Sequence, residues 1–484
     1  MLNTLLLTGA TCAVSVPLGT ALGWVLSRTN VPGKSLGMAV VGLLLLVPLY
    51  LQTAAWQAGF GLQGWLAMHT GGDGWLEGWP GTIWVHSMAA VPWVALIAGV
   101  GFRLVEPKLE EQALLDASER QVFFRVTMPG VLPAVGLAAL WVAIFTSGEI
   151  TVTDMFGVRT YAEELYTSTA LGPRLGEGPM AALPGVVLTA VILLGGLVLC
   201  GRLMPHNRPL SLRWCRIVRL GRWRWPTAVV VGVFLLLLAG VPLGNLIYKA
   251  GVLVTQTDVG RERSWSFVKC VTMTVESPWM YQREFGWSLL IAAVAASVAV
   301  VVAVCLAWLA RRGGWRSWPA LLTAAVCLAL PGPLVGIGLI HLLNRDNPLL
   351  IYLYDNTITA PFLALLVKSL PISLFVMWHS LASVSREMLD SAAVDGASPL
   401  MRMVKVVLPG RLWALAVAWL LAFALALGEL GASILVVPPG VETLSIHIFG
   451  LLHYGVEDRV AAISLALIGM FSVLGVVVYR LSKK

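Results

Sequence analysis

Charged residues are scarce in this chain of 484 residues. Asp, Glu, Lys and Arg make up 12% of the sequence, hydrophobic residues make up 58%, and the mean hydropathy is +0.83. About a quarter of a soluble domain is charged, so the composition excludes a soluble globular protein. Apolar runs of about eighteen or more residues recur, and each can cross a bilayer core of roughly 30 Å. The sequence therefore predicts an all-α polytopic membrane protein.

Paired cysteines and the sequence signals of a processed leader are also missing. No CxxC pair occurs among the six cysteines, most of which lie in or beside apolar runs (Cys12, Cys200, Cys215, Cys270, Cys305 and Cys327). This pattern favours buried apolar thiols over a metal site or a disulfide framework. The first apolar run begins at Met1 without a charged n-region or a clear cleavage site, so we expect a retained helix. The net charge of +8 comes from basic residues clustered in short loops and does not indicate nucleic-acid binding.

Eleven membrane helices are predicted. They cover approximately 3–26, 36–56, 83–104, 131–147, 184–201, 227–247, 286–310, 318–342, 359–382, 411–428 and 459–480. Basic residues follow helices 1, 5, 7 and 11, and alternation places all of these ends on the cytoplasmic side. The outer segment 248–285 carries charges of both signs, and we keep the orientation.

Two polar, helix-forming stretches repeat one motif between apolar runs. The first, at 110–130, reads EEQALLDASERQVFFRVTMPG, and the second, at 390–410, reads DSAAVDGASPLMRMVKVVLPG. A proline precedes each loop aspartate by 24 residues, and a glutamate follows each loop proline by 20 residues. The matched landmarks are Pro92 and Pro371, Asp116 and Asp395, Pro129 and Pro409, and Glu149 and Glu429. These intervals indicate a tandem duplication.

The duplication predicts three regions. A first transmembrane repeat covers 1–201, an Arg-rich cytoplasmic linker covers 202–226, and a second repeat with an extra N-terminal helix covers 227–484. Helices 1 to 5 pair with helices 7 to 11 and face the same way, as in a parallel repeat about an axis along the membrane normal. We therefore expect a pathway between the halves, with helix 6 unpaired. The linker is interpreted as a positive-inside anchor that contacts anionic lipid.

Both repeated loops are predicted to bear an amphipathic helix on the cytoplasmic face. Such a helix can lie on the bilayer, cap the bundle or dock into a partner's groove. The polar pattern favours docking, because Gly396 and Ala397 allow close backbone approach. Pro129 and Pro409 end the helices and direct the chain back into the membrane.

The segment Asp390–Pro409 resembles the "EAA" coupling loop of type I ABC transporter permeases. That pattern is EAA, three positions, Gly, and a Leu-Pro several residues on. The matching positions are Ala392, Asp395, Gly396, Ala397, Leu408 and Pro409, whereas Asp390 and Ser391 replace the usual Glu-Ala. In the first copy Glu111, Ala113, Asp116 and Pro129 match. That copy is one residue shorter between Asp and Pro, so the glycine position is Ala117 or a gap.

Three further stretches, SRTNVPGK, ALPGPLVGIGL and LALGELGAS, are similar to the fused two-copy permeases of the iron(III) and thiamine import group. The resemblance implies a multi-pass protein of the inner (plasma) membrane that supplies both halves of a translocation path. It also implies that each loop docks into one subunit of a cytoplasmic ATP-binding dimer, and that an extracytoplasmic solute-binding protein delivers substrate. The family usually has six helices per half, so the unpaired helix 6 is a departure.

The chain has no convincing ATPase motif of its own. Walker A requires GxxxxGK[ST] between a strand and a helix, and here the GKS at 33–35 has Arg28 in place of the first glycine. We therefore expect no enzymatic activity, no metal and no cofactor bound by this chain, with ATP used by the partner subunit.

Glu149 and Glu429 are the candidate pathway residues, together with Thr151, Asp154 and Ser433. A charge near the bilayer midplane costs about 2.5–3.5 kcal/mol on insertion scales, so each carboxylate is expected to face a cavity or a partner. The alternative is that each lies at the outer interface or caps the amides of a broken helix. Passing a cation and stabilising a gate both remain open as roles.

The other polar residues inside apolar runs give weaker signals. The histidines show no ligand spacing, so satisfied or interfacial side chains are expected (His86, His341, His379, His447 and His453). Lys368 is predicted to snorkel or to form an internal ion pair, with a pathway role as the alternative. Gln52 and Trp56, near Pro48, face either the pathway or the packed interior.

Two classes of transporter fit these features. The first is a fused ABC import permease, with iron(III) as the leading substrate by resemblance, thiamine next, and other small anions or polyamines open. The second is a secondary transporter driven by an ion gradient, with Glu149, Asp154 and Glu429 as its ion sites. The duplicated loop favours the first.

Overall fold

The computed structural model is built almost entirely of α-helices. It describes residues 1–62, 64–70, 74–170, 183–187, 189–191, 193–195, 215–257, 260–455 and 457–482. Within these ranges eight helices are long and apolar enough to cross a membrane, and two bent pairs bring the number to ten. The prediction of an all-α polytopic membrane protein is confirmed. The predicted count of eleven is not, because helix 184–201 and linker residues 202–214 lie largely outside the described residues.

Packing divides the chain into two compact units. The first unit comprises Met1–Glu164, Val187–Met280 and Ile448–Ile468, and the second comprises Leu165–Val186, Tyr281–His447 and Gly469–Lys484. These units are defined by contacts and not by the sequence repeat. The domain boundaries predicted from the duplication therefore stay a prediction.

The first unit is organised around three helices that pack pairwise, α1, α5 and α8. Its helices before residue 160 are α1 (Leu2–Arg28), α2 (Lys34–Leu44), α3 (Leu49–Phe60), α4 (Trp65–Thr70), α5 (Gly78–Leu104), α6 (Pro107–Ala113), α7 (Glu119–Val122), α8 (Met128–Ser147) and α9 (Thr151–Met155). A π-helical turn, Phe123–Thr127, joins α7 to α8. Helices α1 and α5 approach each other closely at Gly23. A Cβ added there would lie only 2.6 Å from the Ala95 carbonyl oxygen. Small residues at such positions allow membrane helices to pack backbone to backbone.

The second unit repeats this organisation with α14, α18 and α21. Its helices are α14 (Gln282–Ala310), α15 (Trp318–Ala329), α16 (Gly332–Leu343), α17 (Pro348–Asp355), α18 (Thr359–Ala382), α19 (Arg386–Val394), α20 (Pro399–Met401) and α21 (Leu412–Gly428). A 3₁₀ turn, Gly314–Ser317, precedes α15; a π-helical turn, Arg402–Val407, and a 3₁₀ turn, Leu408–Arg411, join α20 to α21. The buried stripe of α14 is mostly alanine, which again permits close packing.

Between these sets lie further elements, most of which have no counterpart in the repeat. They are α10 (Tyr161–Ala170), a 3₁₀ turn (Gly221–Trp223), α11 (Arg224–Leu235), a π turn (Leu236–Gly240), α12 (Val241–Gly251), β1 (Val252–Thr257), β2 (Gly260–Trp265) and α13 (Phe267–Met280). The antiparallel hairpin β1–β2 pairs Val252 with Trp265, and it occupies the predicted outer segment. Two helices complete the chain, α22 (Leu444–His453) and α23 (Glu457–Ser482).

Two helices that were predicted as continuous, 36–56 and 318–342, are broken. Each forms a pair of helices bent by 104° at a short break. Pro48 and Pro331 stand at these breaks with extended backbones (ψ 149° and 153°), each as the N-cap of the following helix. Proline cannot continue the hydrogen-bonding of the preceding turn and disfavours helical backbone before it.

The carbonyl oxygen before each of these prolines receives a side-chain hydrogen bond. Gln52 Nε2 donates to the Val47 oxygen at 3.3 Å, and Lys368 Nζ donates to the Leu330 oxygen at 3.1 Å. Backbone groups inside a membrane need internal partners. Lys368 therefore completes a helix break, which corrects the prediction that it snorkels or forms an ion pair.

The unpaired helix 6, Gly221–Gly251, belongs to the first unit and packs on α2 and α3. Asn245 fastens it there: its Nδ2 donates to the Ala55 oxygen at 3.0 Å, and its Oδ1 accepts from Trp65 Nε1 at 3.0 Å. A Cβ at Gly59 would lie 2.3 Å from Asn245 Nδ2, so this contact requires glycine. Nearby, Trp56 is buried against Trp84, which supports packing over a pathway position.

Candidate functional site

The two repeated loops have the same local architecture. In each loop a short helix ends within three residues of the predicted aspartate, a serine caps the next short helix, and a π-helical turn follows. Ser118 Oγ accepts from the Gln121 amide at 3.4 Å, and Ser398 Oγ accepts from the Met401 amide at 3.3 Å. Serine at an N-cap satisfies amides that have no partner within the helix. Both loops therefore follow one structural plan.

The one-residue difference between the loops lies at Gly396. This glycine has φ +79° and ends α19 in a Schellman arrangement, with the Ala397 amide bonded to the Ala392 oxygen and the Gly396 amide bonded to the Ala393 oxygen. Glycine is favoured in this left-handed position. The first loop reaches its cap without a left-handed residue, so Ala117 corresponds to Ala397 and Gly396 faces a gap.

The residues predicted to contact an ATPase have matching exposure in both copies. Ala113 and Ala392 are half-buried, as are Ala117 and Ala397, whereas Asp116 and Asp395 are exposed, as are Pro129 and Pro409. Glu111, Asp390 and Gly396 are also exposed. The two sets thus have the same pattern of exposure, and their contact with a partner stays a prediction.

Sequence analysis missed the apolar tips of these loops. Leu115 is 84% exposed and Val394 is 88% exposed, at equivalent positions immediately before the turns. Two further exposed apolar pairs match in position: Leu109 with Met388, and Phe124 with Val404. We call these three pairs the loop tips. The sequence signal that could have identified them is the presence of apolar residues at matching positions of two otherwise polar loops.

Different kinds of buried contact hold the two loops in place. In the first unit the buried guanidinium of Arg28 forms an ion pair with the buried carboxylate of Glu110, which also accepts from Thr127 Oγ1 at 2.6 Å. At the equivalent loop positions of the second unit, Leu389 and Val407 lie in an apolar core cluster. We call the first arrangement the polar anchor and the second the apolar anchor. Sequence analysis identified neither.

Glu149 and Glu429 cap short turns that follow the long helices α8 and α21. Glu149 accepts from the Thr151 amide at 2.6 Å and the Val152 amide at 2.9 Å, and Glu429 accepts from the Ala432 amide at 2.9 Å. The hydroxyls of Thr153 and Ser433 each hydrogen-bond the carbonyl oxygen of the glutamate in their own unit. The capping alternative is thus observed, while a pathway role for these residues stays a prediction.

The surroundings of the two glutamates differ. In the first unit the Nε2 of buried His86 lies 3.4 Å from Glu149 Oε2, beside an apolar cavity walled by Trp93, Trp141 and Phe145. In the second unit Glu429 lies against Gly332, where a Cβ would come within 2.8 Å of its Oε1. Each carboxylate therefore has its own electrostatic environment.

Asp154, another pathway candidate, pairs with His453. The Nε2 of His453 lies 2.9 Å from Asp154 Oδ2, while its Nδ1 lies 2.8 Å from the Phe449 oxygen. Both nitrogens face acceptors, and an imidazolium ion with two N–H donors suits both. The hydrogen bond to Asp154 raises the pKa of His453, against the opposing effect of burial. Nδ1 of His86, His341 and His453 faces the carbonyl four residues earlier, which agrees with the expected satisfied histidines.

Taken together, paired loops and paired helix breaks define a duplicated helical membrane protein. Residues 299–483 match the family described as "Binding-protein-dependent transport system inner membrane component". Residues 299–483 are therefore of the ABC permease type, and the apolar helices make the chain a multi-pass integral protein of the inner membrane. This confirms the predicted class and localisation.

Several curated relatives are similar to this chain. A molybdate/tungstate transport system permease protein of Pyrococcus abyssi is 30% identical over 28% of this chain, and the match spans about half (52%) of that relative. A putrescine transport system permease protein of Escherichia coli is 28% identical over 40% of this chain and 70% of the relative. An Fe(3+)-transport system permease protein of Haemophilus influenzae is 23% identical over 92% of this chain and 83% of the relative.

Proposed function

We propose that this chain is the membrane-spanning subunit of an ATP-driven importer and that both loops dock to separate cytoplasmic ATP-binding subunits. The observation that carries the proposal is the loop tips, which expose apolar side chains at equivalent positions on two loops of one architecture. Exposed apolar groups on a polar surface mark interaction sites. Helices seated in a partner's groove use such side chains as anchors.

Under this proposal the chain binds no ATP and acts with three kinds of partner. The ATP-binding subunits, expected as a dimer, hydrolyse ATP and move the two loops; a solute-binding protein delivers substrate on the outer side; the lipid bilayer surrounds the spans. Because a single chain supplies both loops, one copy serves both ATP-binding subunits.

Co-purification of the tagged full-length chain from native membranes tests the docking. Leu115→Asp and Val394→Asp each place a charge on one loop tip, and we expect each variant to lose at least half of the recovered ATP-binding subunit, and the double variant to lose nearly all. The matched control is Val254→Asp, the same change at a residue of the outer hairpin that is 54% exposed. Full recovery with the double variant would overturn the proposal.

We further propose iron(III) as the imported substrate. The support is that the relative matching 92% of this chain, across both repeats, carries an iron(III) transport name. The relatives named for molybdate or putrescine match 28% and 40% of it. Thiamine import is the alternative. Uptake of radiolabelled iron(III), thiamine, molybdate and putrescine into cells with and without the chain tests this, and uptake of another solute without iron would contradict it.

A further inference from the structure

A cluster of metal-ligating side chains lies in the second unit, away from the loops and the helix breaks. One ligand atom from each of Glu284, Glu442 and His447 lies within 4.8 Å of the other two. Glu284 is in the first turn of α14, 158 positions before Glu442. Two distant segments therefore converge to place two carboxylates and an imidazole around one point.

The cluster faces water at the outer end of α14. Arg311 and Arg312, at the other end, mark the cytoplasmic side. Helix α14 has 29 residues and is about 43 Å long at 1.5 Å per residue, which exceeds a bilayer core of roughly 30 Å. The Glu442 side chain is 49% exposed. An ion in the outer solution thus has access to the cluster.

The two segments are fastened together independently of the three side chains. Arg283 Nη2 donates to the Gly440 oxygen at 3.3 Å, and the Leu444 amide donates to buried Ser288 Oγ at 2.6 Å. The first unit has similar fastenings, with Asn3 Nδ2 bonded to the Arg159 oxygen and the Tyr161 amide bonded to Thr4 Oγ1. No comparable group of His and carboxylates occurs there among the described residues. The three ligand side chains therefore do not take part in the hydrogen bonds that hold the two segments together.

His447 is oriented as a ligand. Its Nδ1 lies 2.9 Å from Glu442 Oε1, and its ring lies against Tyr281, with centroids 4.8 Å apart. Its Nε2 is buried and has no hydrogen-bond partner among the residues that the structure describes. Two ligand atoms bound to one ion at about 2.1 Å each lie roughly 3 Å apart, so the spacing of Nδ1 and Glu442 Oε1 fits two neighbouring ligands of one ion. Nδ1 is therefore the nitrogen that faces the cluster, together with the two carboxylates.

We propose that Glu284, Glu442 and His447 bind a divalent first-row transition-metal cation on the outer face. Two carboxylates balance the charge of the ion, and the exposed side leaves positions for water. The imidazole nitrogen favours Mn²⁺, Fe²⁺ or Zn²⁺ over Mg²⁺ and Ca²⁺, which prefer oxygen ligands. The neighbouring Arg283 is bonded to the Gly440 carbonyl oxygen, so it does not pair with the cluster. This site does not depend on which solute the permease imports.

Manganese binding to the purified full-length chain tests the site. The chain carries a tag without histidine, is stripped of metal in detergent, and is titrated with Mn²⁺ while the free ion is followed by electron paramagnetic resonance. We expect one Mn²⁺ per chain, displaced by equimolar Zn²⁺ but not by a tenfold excess of Ca²⁺. Glu442→Gln and His447→Gln should each weaken binding at least tenfold.

The matched control is Glu276→Gln, which removes an exposed carboxylate of the same outer segment on α13 and should leave the affinity unchanged. Glu284→Gln provides a third ligand variant, and the comparison uses the variants whose metal-free melting temperature equals that of the parental chain. Equal Mn²⁺ affinity in the parental chain and in such a variant would overturn the proposal, as would the absence of stoichiometric binding.

Discussion

The polar anchor of the first unit and the apolar anchor of the second hold equivalent loops by different physics. Arg28 and Glu110 are each 1% exposed, and the Nε and Nη1 atoms of Arg28 have no partner among the described residues. Desolvation of such a pair can exceed its attraction. The apolar anchor carries no such cost. The comparison teaches that a fixed loop position does not require one anchoring chemistry.

The largest expected effect comes from breaking the polar anchor. Glu110→Ala removes the only carboxylate found beside buried Arg28 among the described residues, so the free energy of unfolding should fall by about 3–5 kcal/mol. Reversible unfolding of the purified chain in mixed detergent micelles measures this. Glu111→Ala, at the exposed neighbour, should change it by less than about 0.5 kcal/mol.

Rebuilding the first anchor in the manner of the second sharpens the same comparison. The triple variant Arg28→Met, Glu110→Leu, Thr127→Val replaces the ion pair with apolar side chains. Because Arg28 is incompletely satisfied, we expect the triple variant to match the parental stability or exceed it by about 1–4 kcal/mol. A triple variant as unstable as Glu110→Ala would mean that the polar chemistry is itself required.

The two units also differ in the surroundings of their capping glutamates, since only Glu429 lies against a glycine of a helix break, Gly332. A Cβ there would lie 2.8 Å from Glu429 Oε1 and 3.0 Å from the Ala432 nitrogen, so Gly332→Ala must disturb the Glu429 cap. We expect a loss of about 1–3 kcal/mol, as for other overpacked sites. Gly338→Ala, in the same helix with nothing within 4 Å of its Cβ, should instead stabilise the chain by about 0.5–1 kcal/mol.

The sequence predicted the helical class, the duplication and the loops, because these depend on apolar run length and on spacing. It did not predict the 104° bends, since proline is also tolerated within α5 and α18 at Pro92 and Pro371. It also missed the polar anchor, because Arg28 and Glu110 are 82 positions apart. Contacts such as Asp154 with His453 depend on packing between distant segments, which a single sequence does not encode locally.

The loop turns differ at Gly396, which the first loop lacks. Its φ of +79° costs a side-chain-bearing residue roughly 1–2 kcal/mol. Gly396→Ala should therefore destabilise the second loop by this amount, although nothing lies within 4 Å of the added Cβ. Gly410→Ala, in the same loop without a left-handed backbone or a close neighbour, is the control. Equal melting temperatures for the two variants would contradict the assignment of strain to Gly396.

The smallest expected effect is the pH dependence that one ion pair of the first unit contributes. Asp154 pairs with His453, whereas the corresponding position of the second unit is Ile434. The pKa of His453 is raised in the folded state. The stabilisation is therefore complete below the unfolded value of about 6.5 and is lost as the pH rises through the folded pKa. The pair is partly exposed, so the effect should fall within about 0–1 kcal/mol. Melting temperatures from pH 6 to 8 should fall more steeply for the parental chain than for Asp154→Asn, and parallel profiles would show that the pair does not contribute.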